Sequence, residues 1–382
     1  MTAQIEILII GVIVAVACTI PGVFLVLRKM AMMTDAITHT ILLGIIGVFL
    51  LVHDLNSPLL IVGAALVGLL TVYLVELVTK TKLVSEDSAI GIVFPLLFSI
   101  AIILISRYAG KVHIDTDSVL LGEIAFAPFN RMKIFGVDIG AKAMYSMGVI
   151  LIINLALVII FFKELKLSVF DSKLAAVLGF SPILIEYGLM ASVSVTVVGA
   201  FEAVGSILVI AFMIGPPITA YMLTDNLKLM IGLSAGIGAI NAILGFFIAN
   251  AYDVSIAGSM ALMTGISFII VFIFAPRRGL FTVIRRRKNQ KIDFAKKSML
   301  FHIMNHENTD RENIENAVDN IYKHLNWSEE FINRIIKNLI QEKRIVVLGN
   351  IYKLTDEGRE YTIRSYEEIV ESFSEESQKM AR

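Results

Sequence analysis

The chain has 382 residues, 57% of them hydrophobic and only 17% charged, which is too apolar for one soluble domain of that length. Its 33 basic and 33 acidic side chains cancel, but about 37 of these 66 fall after residue 275, so a lipid-embedded part precedes a soluble one and the zero net charge says nothing about partners. A single cysteine, Cys18, excludes an intrachain disulfide and a cysteine-rich metal cluster.

The start, "MTAQIE", has no basic flank before its apolar run and reads as a retained membrane helix rather than a cleaved signal; for the same reason "AVAC" is a poor lipidation signal. Apolar runs long enough to cross about 30 Å of hydrocarbon recur near residues 5–27, 32–52, 58–78, 89–106, 144–162, 184–201, 204–223, 229–250 and 256–274. Nine spans are predicted. The sixth and seventh are the least clearly divided, because Gly199, Gly205, Gly215 and the pair Pro216-Pro217 allow a broken helix and a count of eight or ten. Basic residues follow the odd-numbered spans: Arg28 and Lys29, Lys80 and Lys82, Lys163, Lys166 and Lys173, Lys228, and "PRRGLFTVIRRRKNQK". Basic loops stay in the cytoplasm, so the N-terminus is expected outside and the C-terminal segment inside. The loop 107–143 is then external, and its Arg107, Lys111, Arg131 and Lys133 run against the pattern without reversing it.

Inside the second span, "RKMAMMTDAITHTILLG" places Asp35 and His39 at i, i+4, on one helix face and about 6 Å apart in rise. A charge in the bilayer costs roughly 2.5–3.5 kcal/mol even on the lenient insertion scale, so such residues are functional candidates. A carboxylate and an imidazole suit manganese, iron or zinc; a hydrogen-bonded pair that only joins helices is the alternative. Glu76 and Glu123 are expected at the interfaces, where snorkelling or headgroup contact explains them. Glu202, between spans six and seven, is a candidate pathway residue or an external surface group.

The connection 164–182, "ELKLSVFDSKLAAVLGFSP", is longer than a minimal loop and contains a short predicted helix from Ser172 to Leu178, stopped by Gly179. It suits docking against another protein or lying on lipid. Beyond Pro276, "DFAKKSMLFHIM", "RENIENAVDNIYKHL" and "SEEFINRIIKNLIQEK" have amphipathic helical periods, the third with Ser328 as its predicted N-cap. "RIVVLGNIYKLT" reads as two strands about Gly349-Asn350, and a closing helix follows, which is the winged-helix order. His302 and His306, again at i, i+4 and followed by Glu307, form a weak metal signal that an exposed helix face also explains. Neither a P-loop nor an H-E-x-x-H helix is present, and no nucleophile-base constellation points to an intramembrane enzyme.

Five blocks in order, "RKMAMMTDAITHTILLG", "SEDSAIGIVFPLLFS", "FDSKLAAVLGFSP", "AVGSILVIAFMIGPPITAYMLTD" and "FAPRRGL", resemble the membrane permeases of ATP-binding-cassette importers for manganese, zinc and iron, over about residues 5–280. The resemblance implies a metal-importing permease of a bacterial plasma membrane, with no tightly bound cofactor and no chemistry of its own. It implies that Asp35 and His39 contact the transported ion, and that Phe170, Asp171, Leu174, Leu178 and Gly179 belong to the element that receives the ATPase's motion. The partners implied are cytoplasmic ATPase subunits, a second permease chain, identical or different, an extracellular metal-binding protein and membrane lipid.

The expected architecture is an all-α polytopic permease domain at 1–280, a basic linker at 281–292 and a small α+β winged-helix-like cytoplasmic domain at 293–382. That last module departs from the typical permease and resembles the winged-helix domain of diphtheria-toxin-repressor-like regulators. The alternative function is therefore a membrane-anchored, metal-responsive regulator. Nucleic acid is an unfavourable partner, because on the expected recognition helix Arg334, Lys337 and Lys343 are balanced by Glu329, Glu330 and Glu342.

Overall fold

The computed structural model describes every residue except 1, 55, 56, 58, 109–123, 135, 136, 322–326, 381 and 382. Lys111 and Glu123 lie outside these described residues. The chain forms two compact units, Met1–Leu280 and Phe281–Arg382.

In the first unit, nine helices among the described residues are long and apolar enough to cross a membrane. They are α1 (Ala3–Leu27), α2 (Met32–Val52), α3 (Leu59–Lys80), α4 (Glu86–Tyr108), α5 (Lys142–Ile160), α8 (Pro182–Val204), α9 (Ser206–Leu223), α10 (Leu227–Tyr252) and α11 (Ile256–Phe274), with the short α6 (Phe162–Phe170) and α7 (Ser172–Val177) between α5 and α8. The doubtful stretch breaks at one residue: Gly205 takes φ +83°, a conformation costly for any residue with a Cβ, and separates α8 from α9. Pro216 and Pro217 stay inside α9.

Helix α1 is the centre of this unit. All nine residues from Ala17 to Leu25 are buried, so no face of these turns meets solvent or lipid. Small residues let the backbones approach: a Cβ on Gly22 would lie 2.1 Å from the Met213 carbonyl oxygen, and one on Gly44 2.3 Å from that of Gly63. Some buried polar groups are paired across helices, which lipid favours. The Asn154 amide donates to the Ala17 carbonyl at 3.1 Å and to Thr196 Oγ1 at 2.8 Å, and its oxygen accepts from Ser192 at 2.7 Å, tying α1, α5 and α8 together. Leu66, Ile103, Ile152 and Leu262 stand on the outer faces.

Between α4 and α5 the described residues form a 3-10 turn, Ile124–Phe129, and an antiparallel hairpin of β1 (Arg131–Ile134) and β2 (Val137–Ala141), which the sequence did not announce. Arg131 donates to Asp138 at 2.9 Å and to Glu6, at the start of α1, at 2.7 Å. These two carboxylates hold the guanidinium pKa above its ordinary value, Asp138 contributing first. One of the basic residues that ran against the loop-charge pattern is thus neutralised within the fold.

The second unit contains α12 (Leu280–His306), α13 (Glu312–Glu315), α14 (Glu329–Gln341), β3 (Ile345–Leu348), β4 (Ile351–Leu354) and α15 (Asp356–Met380). Residues 281–292, expected as a linker, are helical. Of the predicted helix over 311–325, residues 322–325 lie outside the described residues; Glu312–Glu315 is helical and the chain leaves the helix at Asn316. Here the backbone turns to the hairpin: Tyr352 N donates to the Asn316 carbonyl at 2.9 Å and Val318 N to that of Asn350 at 3.0 Å, making a short third edge. Asn316, fully buried, also donates from its amide to the Ile303 carbonyl at 3.1 Å, so its side chain competes with helix continuation. Ser328 occupies the N-cap of α14, but its hydroxyl makes no capping bond. The hairpin turns through Gly349 at φ +65° and Asn350, with Ile345 paired to Leu354. Met299, Leu300, Ile303, Ile335, Leu339 and Tyr352 are among the residues that fill the core of this unit.

Candidate metal path and coupling surface

Asp35 lies in the first turn of α2, where the helix dipole favours a carboxylate. One turn on, His39 Nε2 lies 3.4 Å from Asp35 Oδ1. That is long for a charge-assisted hydrogen bond but close to the roughly 3.3 Å that separates two ligands on a tetrahedral ion with bonds of about 2.0–2.1 Å. The side chains are 40% exposed at Asp35 and 27% at His39, so neither is sealed into the bundle. The imidazole is held from the other side by α4, against Phe94 at 5.2 Å and Phe98 at 5.8 Å between ring centroids. Sequence reading missed this aromatic wall. Its only signal was the i, i+4 spacing of two phenylalanines.

A charged cluster surrounds the same end of the bundle. Arg28 pairs with Glu186 at 2.6 Å, Lys80 pairs with Glu76 at 2.7 Å, and the Tyr187 hydroxyl donates to Glu76. Glu76, expected at an interface, pairs with Lys80 and, through Tyr187, joins α3 to α8. Arg28, Met33, Glu76, Glu86 and Glu186 line a cavity of about 450 Å³ beside the first turn of α2. Glu202 lies elsewhere. Ser194 sits at the level of Ile37 against Gly68, and Glu202 is eight residues further along α8, about 12 Å. There its exposed carboxylate is 3.5 Å from Lys142 Nζ, at the edge of a separate cavity of about 260 Å³. The structure brings Asp35 and His39 together and leaves Glu202 apart from them.

The connection between α5 and α8 is built by local capping. The Asp171 carboxylate accepts from Leu174 N at 2.9 Å, ending α6 and starting α7. Phe180 N donates to the Ala175 carbonyl and Gly179 N to that of Ala176, the paired bonds of a Schellman stop, with Gly179 at φ +86°. Leu165 and Ala175 face inward, whereas Phe170, Leu174, Val177, Leu178 and Phe180 are exposed. These five apolar side chains make a patch at one end of the bundle. Val177 and Phe180 were not singled out from the sequence.

Residues 3–275 match the ABC 3 transport family. The zinc transport system membrane protein TroD of Treponema pallidum is 42% identical over 356 residues, covering 92% of this chain and 96% of the relative; that match is too long to be confined to the first unit. The manganese transport system membrane protein MntD of Bacillus subtilis is 46% identical over 281 residues, 74% of this chain and 95% of the relative. Among solved structures, PsaBC from Streptococcus pneumoniae in complex with Fab matches with a TM-score of 0.61 at 30% identity, over 73% of this chain and 94% of that one.

Proposed function

The chain belongs to the ABC 3 transport family, and from that premise we propose that the facing pair Asp35 and His39 is the point where a permease of this family handles a divalent metal ion. The protein is the permease subunit of an ATP-binding-cassette importer for a divalent transition metal. Relatives named for zinc and manganese support these two ions as cargo; iron stands only on the donor chemistry. The permease performs no covalent chemistry, and hydrolysis of ATP belongs to a partner chain.

The observation that carries the reading is the 3.4 Å pair on a helix with no other ionisable residue. Two side chains are too few for a tight site, so waters, carbonyls or the same residues of a second permease complete the shell, and the ion passes rather than stays. The exposed patch at Phe170, Leu174, Val177 and Leu178 supports docking of a cytoplasmic ATPase. Motion of α6 and α7 is then transmitted through Leu165, which packs with α5, α8 and α10 in one apolar cluster. This assigns the cytoplasm to the end carrying Arg28 and residues 162–180, and the outside to the end carrying Glu6, the hairpin and Glu202. An external metal-binding protein meets the latter end, where Glu202 is a docking or entry residue. The second unit, with its helices, hairpin and third edge, is winged-helix-like and cytoplasmic, and its α14 pairs acids with bases, which disfavours nucleic acid.

Co-reconstitution with the ATPase in proteoliposomes tests the proposal. ATP-dependent accumulation of zinc or manganese is expected, and its absence for both ions with an assembled, ATP-hydrolysing complex would refute it.

A further inference from the structure

The second unit contains donors that the permease does not use. We propose that His302, His306 and Glu315 form an additional divalent-cation site, best matched to zinc.

Their ligand atoms all lie within 4.8 Å of one another, and each residue is partly buried. A tetrahedral zinc ion needs separations of about 3.3 Å, so small rotamer changes bring the three donors onto one ion. Two imidazoles and one carboxylate suit zinc better than manganese, which favours oxygen ligands. Three protein ligands leave a fourth position for water or another group.

The third ligand comes from a different element from the one the sequence suggested. Glu307, adjacent to His306, is held by Arg359 at 2.7 Å. Glu315 arrives instead because α13 stops at Asn316, whose buried amide binds the Ile303 carbonyl and fixes this turn against the helix face carrying both histidines. The site is therefore arranged by protein contacts before any ion enters. His302 Nε2 also lies 3.2 Å from the Glu315 backbone carbonyl. An imidazole that donates from one ring nitrogen presents a lone pair on the other, the arrangement that orients metal-ligating histidines. An ion here would fasten the last turn of α12 to the third edge, which the Asn316 and Val318 backbones join to the hairpin. The C-terminal unit would thus respond to the metal status of the compartment it occupies.

The test uses the full-length chain in detergent with Asp35→Asn and His39→Leu already in place, so that bound metal is independent of the transport pair. Zinc bound at equilibrium is measured by dialysis and elemental analysis, and cobalt(II) absorption reports the ligand geometry. About one zinc per chain is expected, with tetrahedral cobalt bands; His306→Gln, and separately the isosteric Glu315→Gln, should weaken binding at least about tenfold. Zinc should also raise the melting temperature of the parent and not of either variant, with circular dichroism confirming that the variants are folded. No bound zinc in the parent, or equal binding and equal thermal shift in parent and both folded variants, would overturn the proposal.

Discussion

At the scale of single residues, Asp35 and His39 were legible because an ionisable group within an apolar run has few inexpensive explanations. What the sequence could not display was the ring pair Phe94 and Phe98, on a helix two spans further along, which holds the imidazole. If the histidine serves the ion rather than the fold, His39→Leu should leave the amount of membrane-inserted protein unchanged while removing most uptake. Immunoblotting of membranes beside transport measurements checks this, and parallel losses of protein and uptake would favour a structural Asp-His pair. In the second unit, burial, followed by the charge of Asp319, pushes the Tyr352 phenol above its ordinary pKa. The folded state thus keeps the phenol neutral where the unfolded chain would ionise it. Stability tied to this group is full below a pH of about 10 and falls as pH rises above that value. Thermal melts across that alkaline range should show a shallower decline in Tyr352→Phe.

At the scale of elements, spans were readable from length and apolarity because a bilayer allows helices few alternatives, but which of Gly199, Gly205, Gly215 and the Pro216-Pro217 pair would break the sixth and seventh was left to the structure, where the break falls at Gly205. Polar closures between helices were not readable. Nothing in the sequence around Asn154 shows that its amide bridges α1 and α8. Interhelical hydrogen bonds in membranes average about 0.6 kcal/mol and reach about 1.7, so Asn154→Leu should lower stability by roughly 1 kcal/mol in detergent unfolding, with some transport retained. The helix that stops at Asn316 shows the same limit in the soluble unit, where an amphipathic period continued past a side chain that preferred a tertiary partner. For the connection between α5 and α8, the Gly179 stop made α7 legible, and burial then separated its two faces. Leu178 is 59% exposed, so Leu178→Asp should leave the fold intact. Pull-down of the ATPase with the variant should fail or hydrolysis should become uncoupled from uptake; normal association and transport would remove this segment from the coupling path.

At the scale of the whole molecule, charge is concentrated after residue 275, and the structure forms two compact units, Met1–Leu280 and Phe281–Arg382. Among the described residues the structure adds nine helices of membrane-spanning length, with Arg28, Glu76 and Glu186 gathered around one cavity, Arg131 paired to Glu6 and Glu202 beside Lys142 at another. Reporter fusions after residue 3 and residue 290 should report opposite sides of the membrane, external and cytoplasmic respectively. Finding both on one side would contradict the crossing pattern. The central claim, that the pair on α2 passes a metal ion, is tested most directly by ATP-driven zinc or manganese uptake per assembled complex in Asp35→Asn and the unmodified chain, reconstituted with the same ATPase. Equal assembly and loss of most uptake are expected in Asp35→Asn; undiminished uptake per assembled complex would contradict this.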